Sequence, residues 1–349
     1  MTAKSSSGQF FEDFAVGRVL RHATPRTLSE ADAALYIGLT GSRYALFSSD
    51  AFAQACGLPQ APIDPLLAFH VVFGKTVPDV SLNAVANLGY AEGRFRSLVY
   101  PGDTLSAVSE VIGVRETSNA KTGVVWVRTT GLDQTGQPQL EYCRWVLVNK
   151  RDPAAPTPDT HTPHLADSVP AGDLIAPEGL DFTTYDWTLA GSPHGFEDYE
   201  IGERIDHVDG MTVEEAEHQI ATRLYQNTAK PHFDALLQTS SRFGRRLIYG
   251  GVAISIARAL AFNGLANAAL ILAINAGRHV APLFAGDTVY AWSEVLDRAD
   301  LGPDCGALRL RLVAAKNQSC AEFPDKNGAD YDPAVILDFD YWAAIPKRR

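Results

Sequence analysis

His232 is one of nine histidines in this 349-residue sequence, each a side chain able to move a proton. An imidazole titrates near pKa 6.5, so at physiological pH it can take up a proton and hand it back. Five residues earlier stands Asn227, within Leu224-Tyr225-Gln226-Asn227-Thr228-Ala229-Lys230-Pro231-His232. A carboxamide orients water but does not titrate in this range. Base work therefore falls to the histidine or to a carboxylate brought from elsewhere, and Glu215 and Glu217 are candidates by nearness in sequence. Tyr249-Gly250-Gly251 then opens an apolar stretch. Glycines let backbone approach a ligand closely, and open amides at a helix N-terminus stabilise a developing oxyanion. Arg242, Arg245 and Arg246 directly precede that turn and suit an anion clamped bidentately, with Arg43, Arg94, Arg96 and Arg278 as weaker candidates. The residue types allow proton transfer beside an oxyanion site.

The elements that position these groups occur twice. Phe11-Glu12-Asp13-Phe14 with Gly17 recurs 185 residues later as Phe196-Glu197-Asp198-Tyr199 with Gly202. His22, Thr27 and Leu39 recur as His207, Thr212 and Leu224. Gly93-Arg94 and Gly102-Asp103-Thr104 recur as Gly277-Arg278 and Gly286-Asp287-Thr288, now at an offset of 184. A repeat this long is a duplicated domain rather than a solenoid unit. In the first copy the frame of Asn227 and His232 holds Ser42 and Phe47, and the frame of Tyr249-Gly250-Gly251 holds Asp64-Pro65-Leu66. Phenylalanine exchanges no proton and proline donates no N–H. The working site is expected in the second copy.

Residues 1–150 and 178–349 are expected as two domains, joined by an extended proline-rich linker over 151–177. Each copy carries one helix apolar nearly all round, about Leu66–Gly74 and about Val252–Phe262, which belongs in a core. Thr27-Leu28-Ser29-Glu30 and Thr212-Val213-Glu214-Glu215 fit capping boxes that open an earlier helix. Strands are expected at 103–115, 122–132 and 139–150, and again at 287–297, 307–316 and 334–346. Alternation such as Leu308-Arg309-Leu310-Arg311-Leu312 implies an antiparallel sheet with one wet face. The fold class expected is α+β: a tandem, or double, hot-dog, each half a long buried helix wrapped by an antiparallel sheet. The halves would pair side by side and bury their sheet edges.

A net charge of −11 argues against nucleic acid or an anionic membrane as partner. No apolar run approaches 18 residues and the first eight residues are polar, so a soluble cytoplasmic protein is expected. Cys56, Cys143, Cys305 and Cys320 are scattered with no paired spacing, so neither a zinc site nor a disulfide framework is expected.

The motif resembles the MaoC-like, or hydratase 2, branch of hot-dog enzymes, whose signature runs Leu-Thr-Gly-Asp-x-Asn-Pro-x-His. Leu39-Thr40-Gly41 and Pro231-His232 keep its frame, and Asn227 stands where the family has its aspartate. Runs throughout the chain, among them VFGKTVPD, LNAVANLGYA, ATRLYQNTA, RFGRRLIYGG and DPAVILDFDY, are similar to the mesaconyl-CoA hydratases, also called β-methylmalyl-CoA dehydratases. The resemblance implies reversible addition of water across the double bond of an α,β-unsaturated acyl thioester, in acetate or C3-unit assimilation such as the ethylmalonyl-CoA pathway. It implies His232, Asn227, Gly250 and Gly251 as catalytic groups, and a small acyl-CoA substrate for Tyr225 and the arginines. It also implies no metal or redox cofactor, and a homodimer. An acyl-CoA thioesterase is the rival enzyme reading, since hot-dog folds host both, and a non-catalytic acyl-CoA binding protein is the third.

Overall fold

Leu308, Leu310 and Leu312 are buried while Arg309 and Arg311 between them are partly exposed, as the alternation requires. The computed structural model describes residues 4–348. Ten strands form one antiparallel sheet: β1 (Val19–Thr27), β2 (Ala84–Phe95), β3 (Thr104–Glu116), β4 (Thr122–Leu132), β5 (Pro138–Asn149), β6 (Arg204–Thr212), β7 (Leu270–His279), β8 (Thr288–Asp300), β9 (Cys305–Lys316) and β10 (Val335–Pro346). Their order is β1-β3-β4-β5-β2-β7-β10-β9-β8-β6, so the second half repeats the first in reverse across the β2–β7 seam. Tyr90 faces Gly277 and Ala91 faces Ala276 along it. Each half covers the other's open edge, which removes two unpaired rows of backbone donors and acceptors. The six expected strands are all present.

The seam strands themselves escaped the sequence reading. β2 is rich in small and polar residues, and its first half is largely exposed. β7 begins Leu270-Ile271-Leu272-Ala273, a continuous apolar run with no period-two signal.

The helices α1 (Glu30–Thr40), α2 (Pro65–Thr76), α3 (Glu215–Leu224) and α4 (Gly250–Leu260) position the site. All twelve residues of α2 are buried, and all of α4 except Gly250. Both begin one or two residues before the expected starts, because Pro65 suits a first-turn position and Gly250 and Gly251 carry no side chain to pattern. They share one hydrophobic core, and His70 Nε2 lies 2.9 Å from Ser255 Oγ. These two residues are repeat mates, 185 apart, so they meet at the pseudo-twofold axis between the halves.

The expected capping boxes are corrected. Thr27 and Thr212 end strands, where their hydroxyls meet Thr104 and Thr288 at 2.7 Å. The N-cap of α1 is Ser29, boxed with Asp32, and α3 starts after Glu214 with no side-chain cap. The two Gly-Asp-Thr motifs are turns that open β3 and β8, with Gly102 N donating to Leu28 O and Gly286 N to Val213 O.

Residues 151–177 run along the outside of the sheet. His161 bridges Val114, and Val169 is held by the Asn275 amide oxygen at 2.8 Å and the Trp342 indole at 3.0 Å. The irregular path continues past 177: Phe182 and Tyr185 pack over Phe52, and the first repeated element of the second half is Phe196–Asp198. The four cysteines are buried free thiols.

The repeated histidines are structural. His22 and His207 each place Nε2 2.8 Å from a serine hydroxyl on the neighbouring strand, Ser109 and Ser293. Burial depresses the His207 pKa to about 4 and that of His70 to about 3. The unfolded chain binds these protons near pH 6.5 and the folded chain does not. Stability is therefore intact above pH 6.5 and is lost as pH falls from there toward about 4, by on the order of 3 kcal/mol for each histidine. Denaturant melts at pH 7.5 and 4.5 should show that loss, and a His207→Gln variant should show less of it.

Candidate active site

The chain leaves α3 through Gln226, whose backbone is left-handed at φ +53°. Asn227 N then donates to Thr222 O at 2.9 Å, and Asn227 Oδ1 accepts from Ala229 N at 3.0 Å, closing an Asx turn. A short turn of helix, Lys230–Phe233, presents His232. Gln219 Nε2 donates to His232 O at 2.8 Å. Gln219 and Thr222 are three apart on one face of α3, so Asn227 and His232 hang from the same helical turn. The first half supports this segment from beneath. Arg26 donates to Leu224 O, Lys75 donates to Gln226 Oε1, and Gly74 leaves room for the Tyr225 carbonyl, which would lie 1.9 Å from a Cβ there.

His232 and the irregular segment before α4 clasp each other. Leu247 N donates to Pro231 O at 3.0 Å, and His232 Nδ1 lies 3.0 Å from Leu247 O. A carbonyl only accepts, so Nδ1 carries the ring proton and Nε2 keeps its lone pair. The half-buried imidazole has a pKa below 6.5, because burial outweighs the favourable bond to Leu247. It is neutral and basic at Nε2 at physiological pH.

Beside it, Tyr249 caps α4 with its backbone alone, the ring centroids of His232 and Tyr249 being 5.5 Å apart. Tyr249 N donates to His218 Nε2 at 3.0 Å. Among the described residues the amides of Gly250 and Gly251 have no protein acceptor, leaving two donors at the positive end of the helix. Close packing explains both glycines. A Cβ on Gly250 would stand 2.3 Å from the His279 ring, and one on Gly251 2.4 Å from Tyr249 and 2.6 Å from His70. His70, Tyr225 and Tyr249 form one aromatic group, with centroids 4.8–6.1 Å apart. Tyr225 OH, Tyr249 OH, His70 Nδ1 and His218 Nδ1 are buried polar atoms without a protein partner. Such atoms gathered at one place are free to bond an ordered water or a polar ligand.

The equivalent place in the first half is closed to this chemistry. Phe47 is buried among Phe52, Leu270 and Leu272. Asp64 Oδ1 accepts from Leu66 N at 2.8 Å, and Pro65 takes the first helical position, so the amides of α2 are already answered. A small cleft at that end is lined mainly by apolar side chains, including Pro65, Phe95, Leu140 and Leu272.

The seven arginines named from the sequence do not gather at one place. Arg246 alone among the seven named arginines reaches the His232 turn, where it donates to Phe233 O at 3.3 Å and to the Glu215 carboxylate. Together with His232 it adds to the burial that pushes the His218 pKa down to about 3. Arg242 and Arg245 are exposed and lie over the rings of Phe243 and Phe284. Arg43 lies over Phe262 and 3.9 Å from Asp209. Arg94 turns to the linker and Asp173 at 3.4 Å, and Arg96 pairs with Glu141 at 4.0 Å. Arg278 is exposed on the face of β7 opposite His279. Glu215 is taken up by Arg246, and Glu217 is exposed, so neither carboxylate is placed to serve His232 as a base.

His218 and His279 were missed. Their counterparts at offsets of 185 and 184 are Ala33 and Phe95, so the same copy-against-copy comparison that singled out His232 carried the signal.

A family model described as mesaconyl-CoA hydratase matches residues 2–327. The chain is 61% identical to the mesaconyl-CoA hydratase of Cereibacter sphaeroides, over 99% of this chain and 100% of that protein. It is 58% identical to the β-methylmalyl-CoA dehydratase of Chloroflexus aurantiacus over the full length of both. A crystal structure of a MaoC domain dehydratase from Chloroflexus aurantiacus superposes with a TM-score of 0.97 at 57% identity, covering both chains entirely. A Mycobacterium tuberculosis protein with a double hotdog fold superposes at 0.75 with 26% identity, over 98% of this chain and 99% of that one. On the family match, the two full-length relatives and the shared double hot-dog fold, the chain belongs to the mesaconyl-CoA hydratase family.

Proposed function

We propose that this protein adds water reversibly across the double bond of mesaconyl-CoA, giving β-methylmalyl-CoA. The observation that carries the reading is the basic Nε2 of His232 on a ring 5.5 Å from that of Tyr249, the residue that leads into the open amides of Gly250 and Gly251. His232 Nε2 takes a proton from water as the water oxygen bonds to the β-carbon. The π electrons move onto the thioester oxygen, which the two amides hold as an enolate. The enolate collapses as the α-carbon takes the proton back from His232, so water is added and nothing else is consumed. Asn227 already uses Oδ1 within its own turn, so it offers its Nδ2 hydrogens to orient the water.

The reading is tested by mixing the purified chain with mesaconyl-CoA. Enoyl absorbance should fall without release of free thiol. Thiol release would instead establish the thioesterase reading, and binding with neither change would establish a non-catalytic carrier. A homodimer belongs to the same proposal, and sedimentation at the mass of a single chain would remove it.

Arg246 is the cation proposed for the substrate's free carboxylate. It uses two of its five N–H groups on Glu215 and Phe233, which leaves others for a ligand. A charge-assisted bond contributes about 1.5–3 kcal/mol. Arg246→Ala should therefore raise KM for mesaconyl-CoA by about 10- to 100-fold, while leaving KM for an enoyl-CoA without a second carboxylate unchanged. An equal rise for both substrates would show that Arg246 supports the turn rather than the ligand.

A further inference from the structure

The ring of His279, the last residue of β7, lies directly over Gly250. A Cβ placed on Gly250 would be 2.3 Å from Cε1, 2.4 Å from Nε2 and 2.7 Å from Nδ1 of that imidazole. On its other side Tyr90, from the first half, places its hydroxyl 3.3 Å from Nε2. The two copies differ here as they do at the proposed base. Gly93-Arg94-Phe95 answers Gly277-Arg278-His279, just as Phe47 answers His232. Two of the imidazoles beside the first turn of α4, His232 and His279, thus become phenylalanine in the copy whose helix starts with Pro65. A purely structural histidine follows another pattern: His22 and His207 are kept in both copies, each on a serine.

We propose that His279 is a further catalytic residue of the hydration site, a neutral imidazole whose N–H donates to the thioester oxygen alongside the amides of Gly250 and Gly251. This rests on the hydratase reading. Donation rather than proton transfer follows from the protonation state. Burial and the nearby His232 push the His279 pKa down to about 4, so at pH 7 only about one ring in a thousand is cationic. The Tyr90 hydroxyl is pushed up by burial, keeps its proton, and lies 3.3 Å from Nε2. In the tautomer this proposal uses, that hydroxyl donates to Nε2 and the ring proton sits on Nδ1. A neutral donor steadies the enolate and gives up no proton, so the proton account stays with His232. It also avoids a second cation beside His232 when that ring is charged.

The test uses the full chain carrying His279→Phe or His279→Gln, with kcat, the pH profile and the affinity for a saturated, unreactive acyl-CoA as readouts. His279→Phe imports the residue that the first copy carries at this place. It should lower kcat by about 10²- to 10³-fold, the loss typical of one oxyanion donor, without moving the acid limb of kcat/KM or the analogue affinity. His279→Gln retains an N–H donor and should recover part of kcat. Wild-type kcat in His279→Phe overturns the proposal, and so does a lost acid limb, which would make His279 the acid–base group. Where His279→Phe fails to bind the analogue, His279→Gln decides: a largely retained kcat supports the donor role, and a loss equal to that of His232→Ala overturns it. Failure of the wild type to hydrate would sink the hydratase reading instead, a result distinct from a hydrating wild type with an active His279→Phe.

Discussion

Replacing His232 by alanine should lower kcat by about 10²- to 10⁴-fold, the range in which a positioned acid–base group acts. The loss should fall on kcat more than on KM, because Nε2 meets the reacting water and not the CoA portion of the ligand. In the wild type, kcat/KM should fall on the acid side with an apparent pKa below 6.5, since burial favours the neutral ring. The sign follows from the role: the base works unprotonated, so activity is full above that pKa and declines beneath it. His232→Ala should lose this limb along with its rate. Phe47→Ala is the control, at the matching place in the first half. It should keep kcat while lowering stability by about 3–5 kcal/mol, as expected for truncating a buried phenylalanine. An active His232→Ala, or an inactive but folded Phe47→Ala, would reverse the assignment of halves. Steady-state rates at several pH values together with a thermal melt are enough to decide.

Gly251→Ala should be nearly as damaging. The new methyl would stand 2.4 Å from Tyr249 Cε1 and 2.6 Å from His70 Cε1, inside any tolerable contact. Neither ring can easily withdraw. Tyr249 is 3% exposed and His70 fully buried, with His70 Nε2 tied to Ser255. The helix start must therefore shift, carrying the amides of Gly250 and Gly251 out of line with the thioester oxygen. A loss of about 10²- to 10³-fold in kcat is expected, as for removal of one oxyanion donor, along with a destabilisation of about 1–3 kcal/mol from overpacking. The outcome separates from a simple folding defect by partition. A folded variant should still bind a saturated acyl-CoA while turning over an enoyl-CoA slowly. Unimpaired turnover in Gly251→Ala would remove the oxyanion role from this helix start.

Much of this was legible in the chain before any coordinates. Because the sequence repeats, His232 against Phe47 and Gly250 against Pro65 point to the second half as the place for proton chemistry. The all-round apolar character of Leu66–Gly74 and of Val252–Phe262 declared buried helices, the second ending in the structure at Leu260, and alternation declared the six strands around them. Those signals are local: a period of 2 or 3.6 residues, or a residue type that can or cannot exchange a proton, is written within a short window.

Only the tertiary structure decided what meets what. Seam strands β2 and β7 lack a clean period because they are paired on both sides and take their stability from the other half. Arg246 and Arg245 are adjacent in sequence, yet one reaches the His232 turn at Phe233 O while the other lies over Phe284. The proton on His232 Nδ1 is set by a carbonyl 15 residues away, and His279 comes to Gly250 from 29 residues downstream. Side-chain chemistry is a property of the residue and can be read singly. Protonation state, ion pairing and reach depend on distances of a few ångströms between distant segments, and those exist only once the sheet has closed around both helices.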